Sequence, residues 1–213
     1  MRRLSLIFLF LVSYTAGFAQ VDFSRIKLGV QVSPTLSFNR VSDESANVNF
    51  SSDGVGGRVL AGAVLDYMLT DNYFVSTGLF FVPKRVGLRE NASEETPDRY
   101  KLHYLQIPAT IKLFTNEVAL DTRVYFQAGF TLDIKLLEDN ISEQVNYVER
   151  FGFLDSSLLL AAGAEYRYGY NTIFFGGFSY RRGLANVVRR ELGPVEDIVV
   201  KNDLFSLDLG VKF

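Results

Sequence analysis

Apolar and polar residues alternate strictly over the last nine residues of the chain, Phe205 to Phe213. Every second residue is apolar, and the intervening positions are Ser206, Asp208, Gly210 and Lys212. A period of two with one fully apolar face is typical of a β-strand that crosses a membrane, because the apolar face contacts lipid. The segment therefore predicts a transmembrane β-strand that ends on an aromatic residue, the kind of end that the barrel assembly machinery of outer membranes recognises.

The same alternation predicts an all-β chain of eight antiparallel strands. We expect them at residues 25–38, 57–69, 73–88, 102–114, 122–136, 153–168, 172–184 and 202–213. The facing of the seventh strand is ambiguous, because Ile173, Phe174 and Phe175 are apolar on both faces. Pro34, late in the first strand, predicts a bulge or a point above the membrane, since proline has no N–H for the ladder.

The connections between these strands alternate between short and long. The short ones are Thr70-Asp71-Asn72, Thr115-Asn116-Glu117 and Gly169-Tyr170-Asn171, and the long ones are residues 39–55, 89–101, 137–152 and 185–201. Outer-membrane barrels have short periplasmic turns and long external loops. With eight strands, we therefore expect both termini on the periplasmic side of the cell outer membrane.

Aromatic residues collect at the ends predicted to be periplasmic. They are Tyr67, Tyr73, Tyr166, Tyr168, Tyr170 and Phe213. Rings of this kind gather where a membrane meets water, so they predict an interfacial girdle. The alternative is that they are ordinary strand aromatics near turns.

The N-terminal residues have the pattern of a secretory signal peptide. Arg2 and Arg3 precede an apolar run at residues 4–12, and Gly17 and Ala19 are small residues before a cleavage site. We expect cleavage after Ala19, which leaves residues 20–213 as the barrel domain. The alternative, a membrane anchor, needs a longer apolar run.

Composition narrows the class further. The chain has no Cys, which excludes disulfides, thiolate metal sites and Cys nucleophiles. Its formal net charge of −2 gives no reason to expect a nucleic-acid partner. After residue 19 no apolar stretch is long enough for a membrane helix, so a chain that crosses a bilayer must do so as a closed barrel. A soluble up-and-down barrel with an apolar interior is the main alternative. The terminal aromatic residue, the polar opposing face and the alternating connections argue against it.

Thirteen polar residues share the predicted lumen. They are Arg58, Asp66, Lys84, Gln106, Lys112, Arg123, Asp133, Lys135, Asp155, Glu165, Arg167, Asp208 and Lys212. The interior of an eight-stranded barrel is barely wider than its own side chains. We therefore expect these charges to pair into a plug across the lumen, with a narrow ion path as the alternative.

Catalysis has little support in the sequence. His103, the only His, falls near the predicted external end of the fourth strand, and Ser93 and Asp98 lie in the loop before it. Proximity in sequence does not make a triad. We therefore expect no enzyme, no cofactor and no metal, and assign no catalytic or ligand-binding residues.

Several strand motifs resemble the outer-membrane β-barrel domain family of Bacteroidetes, whose members are often called PorT-like. The most specific is the run Y-L-Q-I-P-A-T-I-K at residues 104–112, close to the family's Y-L-x-I-P-x-x-x-K strand. Others, in order, are D-N-Y at 71–73 with S-T-G-L at 76–79, Q-A-G-F at 127–130, G-A-E-Y at 163–166, and Tyr180 with G-L-A-N-V at 183–187. The resemblance covers almost the whole mature chain. It places Pro108 within a strand, where we expect a local bulge.

The resemblance implies a non-enzymatic role. PorT itself is implicated in type IX protein secretion and gliding motility, so the expected function is an accessory of envelope protein secretion. Its partners would be outer-membrane lipids, the assembly machinery that recognises the strand ending at Phe213, and secretion-system proteins. The alternative is a structural, adhesive or minor-channel barrel with no secretion role.

Overall fold

The computed structural model describes residues 23–43, 50–52, 54–90, 98–140, 148–191 and 198–213. Residues 1–19, the predicted signal peptide, lie outside the described residues. A 3-10 helix at Phe23–Arg25 precedes the first strand. The strands are β1 (Ile26–Asp43), β2 (Phe50–Ser52), β3 (Gly56–Met68), β4 (Tyr73–Glu90), β5 (Asp98–Ala119), β6 (Thr122–Asn140), β7 (Val148–Phe151), β8 (Leu154–Tyr168), β9 (Thr172–Gly183), β10 (Val188–Glu191) and β11 (Ile198–Lys212). Among these residues, no helix has the length and apolarity needed to span a bilayer.

Eight long strands close into an antiparallel barrel. Their order around the barrel is β1, β3, β4, β5, β6, β8, β9 and β11, and β11 pairs with β1 to close it. Each strand therefore lies beside its predecessor in the chain, which is the up-and-down arrangement. The predicted eight-stranded barrel is confirmed. The short strand β2 extends the edge of β4, while β7 and β10 form a separate two-stranded sheet.

Side chains alternate between the two faces of the wall as predicted. Leu28, Val30 and Val32 of β1 are half exposed on the outside, whereas Ser33 and Thr35 are buried inside. The structure also resolves the seventh strand, β9. Phe175 and Ser179 face the lumen, and Phe174 and Phe178 face outward. Ordinary alternation thus continues through the apolar run, because the lumen itself accepts an apolar ring at this level.

The two ends of the barrel differ in their connections. Three short turns, at residues 69–72, 120–121 and 169–171, lie at the end where β1 begins and β11 finishes; we call this the turn end. The four longer connections lie at the opposite loop end. Five of the six aromatic residues predicted for a girdle are exposed at the turn end, and Tyr67 is half-buried there.

The second short turn lies later in the chain than predicted. The expected turn at Thr115-Asn116-Glu117 is wrong, because β5 continues to Ala119 and the chain reverses at Leu120 and Asp121. The pairing of β5 with β6 shifts register between Phe114 and Ala119, so the polar residues Thr115-Asn116-Glu117 lie in an irregular part of the strand pair and not in a turn. Asp121 takes a φ of 55°, a left-handed conformation that Asp tolerates better than most residues.

The strands also reach further toward the loop end than predicted. β1 continues to Asp43, β4 to Glu90 and β6 to Asn140, and β5 and β11 begin at Asp98 and Ile198. None of these extensions alternates regularly between apolar and polar residues: β1, β4 and β6 end in mainly polar residues, whereas β11 begins with the apolar run Ile198-Val199-Val200. Backbone pairing does not need that alternation, so the ladder continues where the wall no longer needs to contact lipid.

Neither proline lies at a bulge, so the bulge expected at Pro108 is wrong, and of the two alternatives given for Pro34 the bulge is excluded. The register of β1 with β3 and β11 is the same on both sides of Pro34, and that of β5 is the same on both sides of Pro108. Beside the proline, the hydroxyl of Thr77 donates to the Pro108 carbonyl at 2.7 Å and so links β4 to β5. The register of β5 with β6 instead shifts between His103 and Tyr104, nearer the loop end.

Closure of the barrel depends on a glycine in the first strand. A Cβ on Gly29 would lie 2.7 Å from Cγ of Lys212 and 2.4 Å from the Val211 carbonyl oxygen. We expect Gly29→Ala to destabilise the barrel by about 1–3 kcal/mol, because both the Val211 carbonyl and the Lys212 stem must move. Gly57→Ala is the matched control, since a Cβ there meets nothing within 4 Å. The temperature at which the purified barrel unfolds in detergent should fall for Gly29→Ala alone; an equal fall in both variants would contradict this role.

Candidate functional site

A ring of four charged residues crosses the lumen near the turn end. Asp66, Lys112, Glu165 and Lys212 come from β3, β5, β8 and β11, and all four side chains are buried. The Lys212 ammonium donates to Asp66 at 2.5 Å and also to Glu165. The Lys112 ammonium donates to Asp66 at 2.9 Å and lies 3.9 Å from Glu165. Each carboxylate therefore contacts both ammonium groups. We call these residues the ion ring.

Aromatic side chains close the lumen on the turn side of the ion ring. Phe74, Phe114 and Tyr125 form a buried cluster, with the Phe74 and Phe114 rings 5.0 Å apart. The Lys112 ammonium lies 4.9 Å from the centre of the Tyr125 ring, and the Arg123 guanidinium lies 4.5 Å from that of Phe114. The cluster thus covers part of the ion ring at this end, where Glu165 also lines a small cavity with Glu117, Arg123 and Arg167.

A second polar cluster lies further toward the loop end. The Lys84 ammonium donates to Asp133 at 2.6 Å and to Asp155 at 2.9 Å. The Gln106 amide donates to the other oxygen of Asp133 at 2.7 Å and accepts from Arg181 at 3.1 Å. We call these five residues the upper cluster.

Arg181 connects the upper cluster to the opposite wall. Its guanidinium also donates to the hydroxyls of Ser206 at 2.8 Å and Ser179 at 3.1 Å. The upper cluster therefore ties β4, β5, β6, β8 and β9 to β11 through side-chain hydrogen bonds.

The cavity between the ion ring and the upper cluster is small. It has a volume of about 30 Å³, and its walls include Gln31, Lys112, Arg181 and Asp208. One oxygen of the buried Asp208 carboxylate has no hydrogen-bond partner among the described residues. A space of this size and polarity holds a water molecule but not a hydrated ion.

Apolar side chains fill the lumen at the loop end, beside and above the upper cluster. Val82 and Val86 of β4, Leu102 of β5 and Leu204 of β11 turn inward and are buried. The β7–β10 sheet packs onto them through Phe151, whose ring lies 4.8 Å from that of Tyr100, and through Val188. We call this set the apolar cap.

The structure brings nine of the thirteen predicted lumen residues into the buried interior, and the predicted pairing of charges is confirmed. The nine are Asp66, Lys84, Gln106, Lys112, Asp133, Asp155, Glu165, Asp208 and Lys212. The other four lie near the rims: Arg167 is exposed, Arg58 donates to the Gly57 carbonyl, Lys135 pairs with Glu138, and Arg123 donates to the Asp71 carbonyl.

Two lumen features escaped the sequence prediction. Arg181 was missed because the facing of its strand was ambiguous. The apolar cap was missed because the prediction assigned only polar residues to the inner face. The signal was nonetheless present: Val82, Val86, Leu102 and Leu204 occupy the same alternate positions as the lumen charges of their strands.

Two of the residues considered for catalysis, Asp98 and His103, lie five positions apart on β5. His103 faces outward from β5, and its ring stacks on Phe81 with centroids 5.3 Å apart. Asp98 begins β5, and Ser93 lies outside the described residues. Within the part of the chain that the structure describes, no three His, Asp or Glu residues are grouped so that they could hold a metal ion.

A closed barrel with an apolar outer wall and a charged interior defines a protein of the outer-membrane barrel class. The family model of the outer membrane protein beta-barrel domain matches residues 18–189, so the chain belongs to that family. It is an integral barrel protein of the outer membrane, surrounded by lipid.

Solved structures agree on the fold. The outer membrane protein OprG of Pseudomonas aeruginosa has a TM-score of 0.60 at 12% identity, over 87% of this chain and 95% of that one. Neisserial surface protein A has a TM-score of 0.53 at 13% identity, over 88% and 95%. Identities this low establish likeness of fold. The sequence matches none of the curated proteins.

The ion ring should dominate the stability of the lumen. We expect Glu165→Ala to destabilise the barrel by about 3–5 kcal/mol, because it leaves Lys112 and Lys212 with one carboxylate between them. Arg123→Ala is the control: Arg123 lies directly opposite Glu165 in register but remains half exposed and outside the ring. Urea unfolding of the barrel in lipid vesicles measures both. Equal losses of unfolding free energy would contradict a special role for the ring.

Proposed function

We propose that this protein is a non-enzymatic, non-conducting barrel that acts through its two ends rather than through its lumen. The observation that carries the proposal is the filling of the interior at four successive levels. An aromatic cluster, the ion ring, the upper cluster and the apolar cap follow one another, and the cavity between the two charged levels is only about 30 Å³. A solute has no route through such an interior without moving several buried pairs.

We further propose that the loop end faces the cell exterior and that both termini are periplasmic. The short turns at one end and the long connections at the other support this orientation, since outer-membrane barrels place their short turns in the periplasm. Phe213 completes β11 at the turn end, where its backbone exchanges hydrogen bonds with Leu28 and its ring is exposed. The exposed ring beside the end of β11 supports recognition by the barrel assembly machinery.

The specific role that we propose is that of an accessory of type IX protein secretion or gliding motility. The support is the PorT-like resemblance of the strand motifs, above all residues 104–112. The loop end adds a suitable contact surface for secretion-system proteins, because the strands extend past the apolar wall and the β7–β10 sheet covers the mouth.

A gene deletion tests this role. We expect type IX cargo to remain in the periplasm of the deletion strain and to reappear in the medium when the wild-type gene is restored. A second complementing gene should carry a short turn in place of residues 184–197, and we expect it to insert in the membrane but not to restore secretion. Normal secretion by the deletion strain would overturn the secretion role and leave a structural or adhesive barrel.

Conductance tests the closed lumen separately. We expect no stable current steps when the purified protein is inserted into planar bilayers, because the charged and apolar levels leave no continuous water path. Detergent without protein provides the baseline. Reproducible steps of uniform size that appear only with protein would show an open lumen and contradict this part of the proposal.

A further inference from the structure

Three basic side chains lie together on the outer wall at the loop end. Arg40 of β1 lies directly opposite Lys201 of β11, and Arg182 of β9 lies opposite Asp203, two residues further along β11. Their positions alternate in phase with Leu36, Phe205 and Phe178, which face lipid. Arg40, Lys201 and Arg182 therefore face outward from the wall, not into the lumen. We call them the basic cluster.

The basic cluster lies where the apolar wall ends. Leu36, Phe178 and Phe205 are about half exposed on the outside, and the rings of Phe178 and Phe205 are stacked with centroids 6.0 Å apart. On each of the three strands a basic residue follows four positions nearer the loop end, roughly 13 Å along a strand. An apolar aromatic surface bordered by cations is typical of the depth at which lipid headgroups begin.

A buried carboxylate holds one member of the cluster in place. The Arg40 guanidinium donates to both oxygens of Asp203, at 2.8 and 3.0 Å, and to the Gly183 carbonyl at 2.8 Å. Asp203 is only 2% exposed and also accepts from the Tyr180 hydroxyl and the Gly183 N–H, each at 3.0 Å. Arg40 is thus oriented before any ligand arrives.

The other two cations have no such partner. Within the described part of the chain, the side chains of Arg182 and Lys201 form no hydrogen bond or ion pair. With Asp203 counted, the group carries three positive charges and one negative charge. On the other side of the barrel the outward-facing Lys101 lies between Arg85 of β4 and Asp139 of β6, a group with two positive charges and one negative charge.

We propose that the basic cluster binds the phosphate groups of anionic lipids in the leaflet that surrounds the loop end. Arginine matches phosphate oxygens with paired N–H donors, and lysine adds a mobile charge. The adjacent Phe178 and Phe205 rings offer an apolar surface to the acyl chains of the same lipid. The proposal does not depend on which side of the membrane the loop end occupies.

Tryptophan fluorescence can test the site, because the chain contains no Trp. Phe178→Trp places a single fluorophore beside the basic cluster, and Phe130→Trp places one on the lipid-facing side of β6, away from it. Each variant is reconstituted in phosphatidylcholine vesicles that contain either brominated phosphatidic acid or brominated phosphatidylcholine as a quencher. We expect Trp at position 178 to report a preference for phosphatidic acid of about fivefold or more, and Trp at position 130 to report none.

Charge variants decide whether the cluster causes the preference. The first pair of substitutions, Arg182→Gln with Lys201→Gln, is made in the Phe178→Trp background. It should abolish the preference for phosphatidic acid while leaving the Arg40–Asp203 contact intact. Lys101→Gln with Arg167→Gln removes the same charge elsewhere and should leave the preference unchanged. A preference that survives the first pair, or equal preferences at positions 178 and 130, would overturn the proposal. Competition by inorganic phosphate would also overturn the lipid assignment, since it would show a site for the free ion.

Discussion

The structure depends on the fact that lipid offers no hydrogen bonds to a polypeptide backbone. A chain that crosses a bilayer as strands must therefore close its sheet, and β11 pairs with β1 to do so. Closure with eight strands leaves an interior about as wide as the side chains that point into it. Every inward-facing charge then lies close to the opposite wall, where it is either paired or strongly destabilising. The ion ring and the upper cluster are two solutions to that one constraint.

The same constraint explains why the interior is layered. Charges that face each other at one level can satisfy one another, as Asp66 and Glu165 do with Lys112 and Lys212. Near the loop end the wall is no longer surrounded by lipid, and inward positions can be apolar because connecting segments fold over them. Phe151 and Val188, from the β7–β10 sheet, complete that level from outside the barrel. The lumen thus changes from an ionic interior to one resembling the core of a soluble protein.

Much of this fold could be predicted from the sequence, and the parts that could not have physical reasons. Period-two alternation identified the eight strands, because the lipid requires an apolar residue at every second position. It failed where lipid no longer applies that requirement, as in the extension of β1 to Asp43 and of β6 to Asn140. It also could not orient β9, where Ile173, Phe174 and Phe175 suit both faces. The sequence predicted that the lumen charges pair with one another, but it did not predict which residues are partners. Glu165 pairs with lysines on β5 and β11 rather than with Arg123. Sequence spacing does not show this, because it does not show how far side chains reach across a barrel.

The place of Lys212 in the chain has a consequence for how the barrel forms. It is the last residue of β11, yet it supplies half of the positive charge in the ion ring. A sheet that has formed from β1 to β9 but lacks β11 would hold Asp66 and Glu165 with Lys112 alone, around a lumen still open along one seam. Only when the last strand docks, with the Lys212 stem passing over Gly29, does the interior become electrically neutral at this level. The ring thus favours the complete barrel over any version that is missing its final strand, so an incompletely synthesised or truncated chain would lack the interaction that secures the closed form.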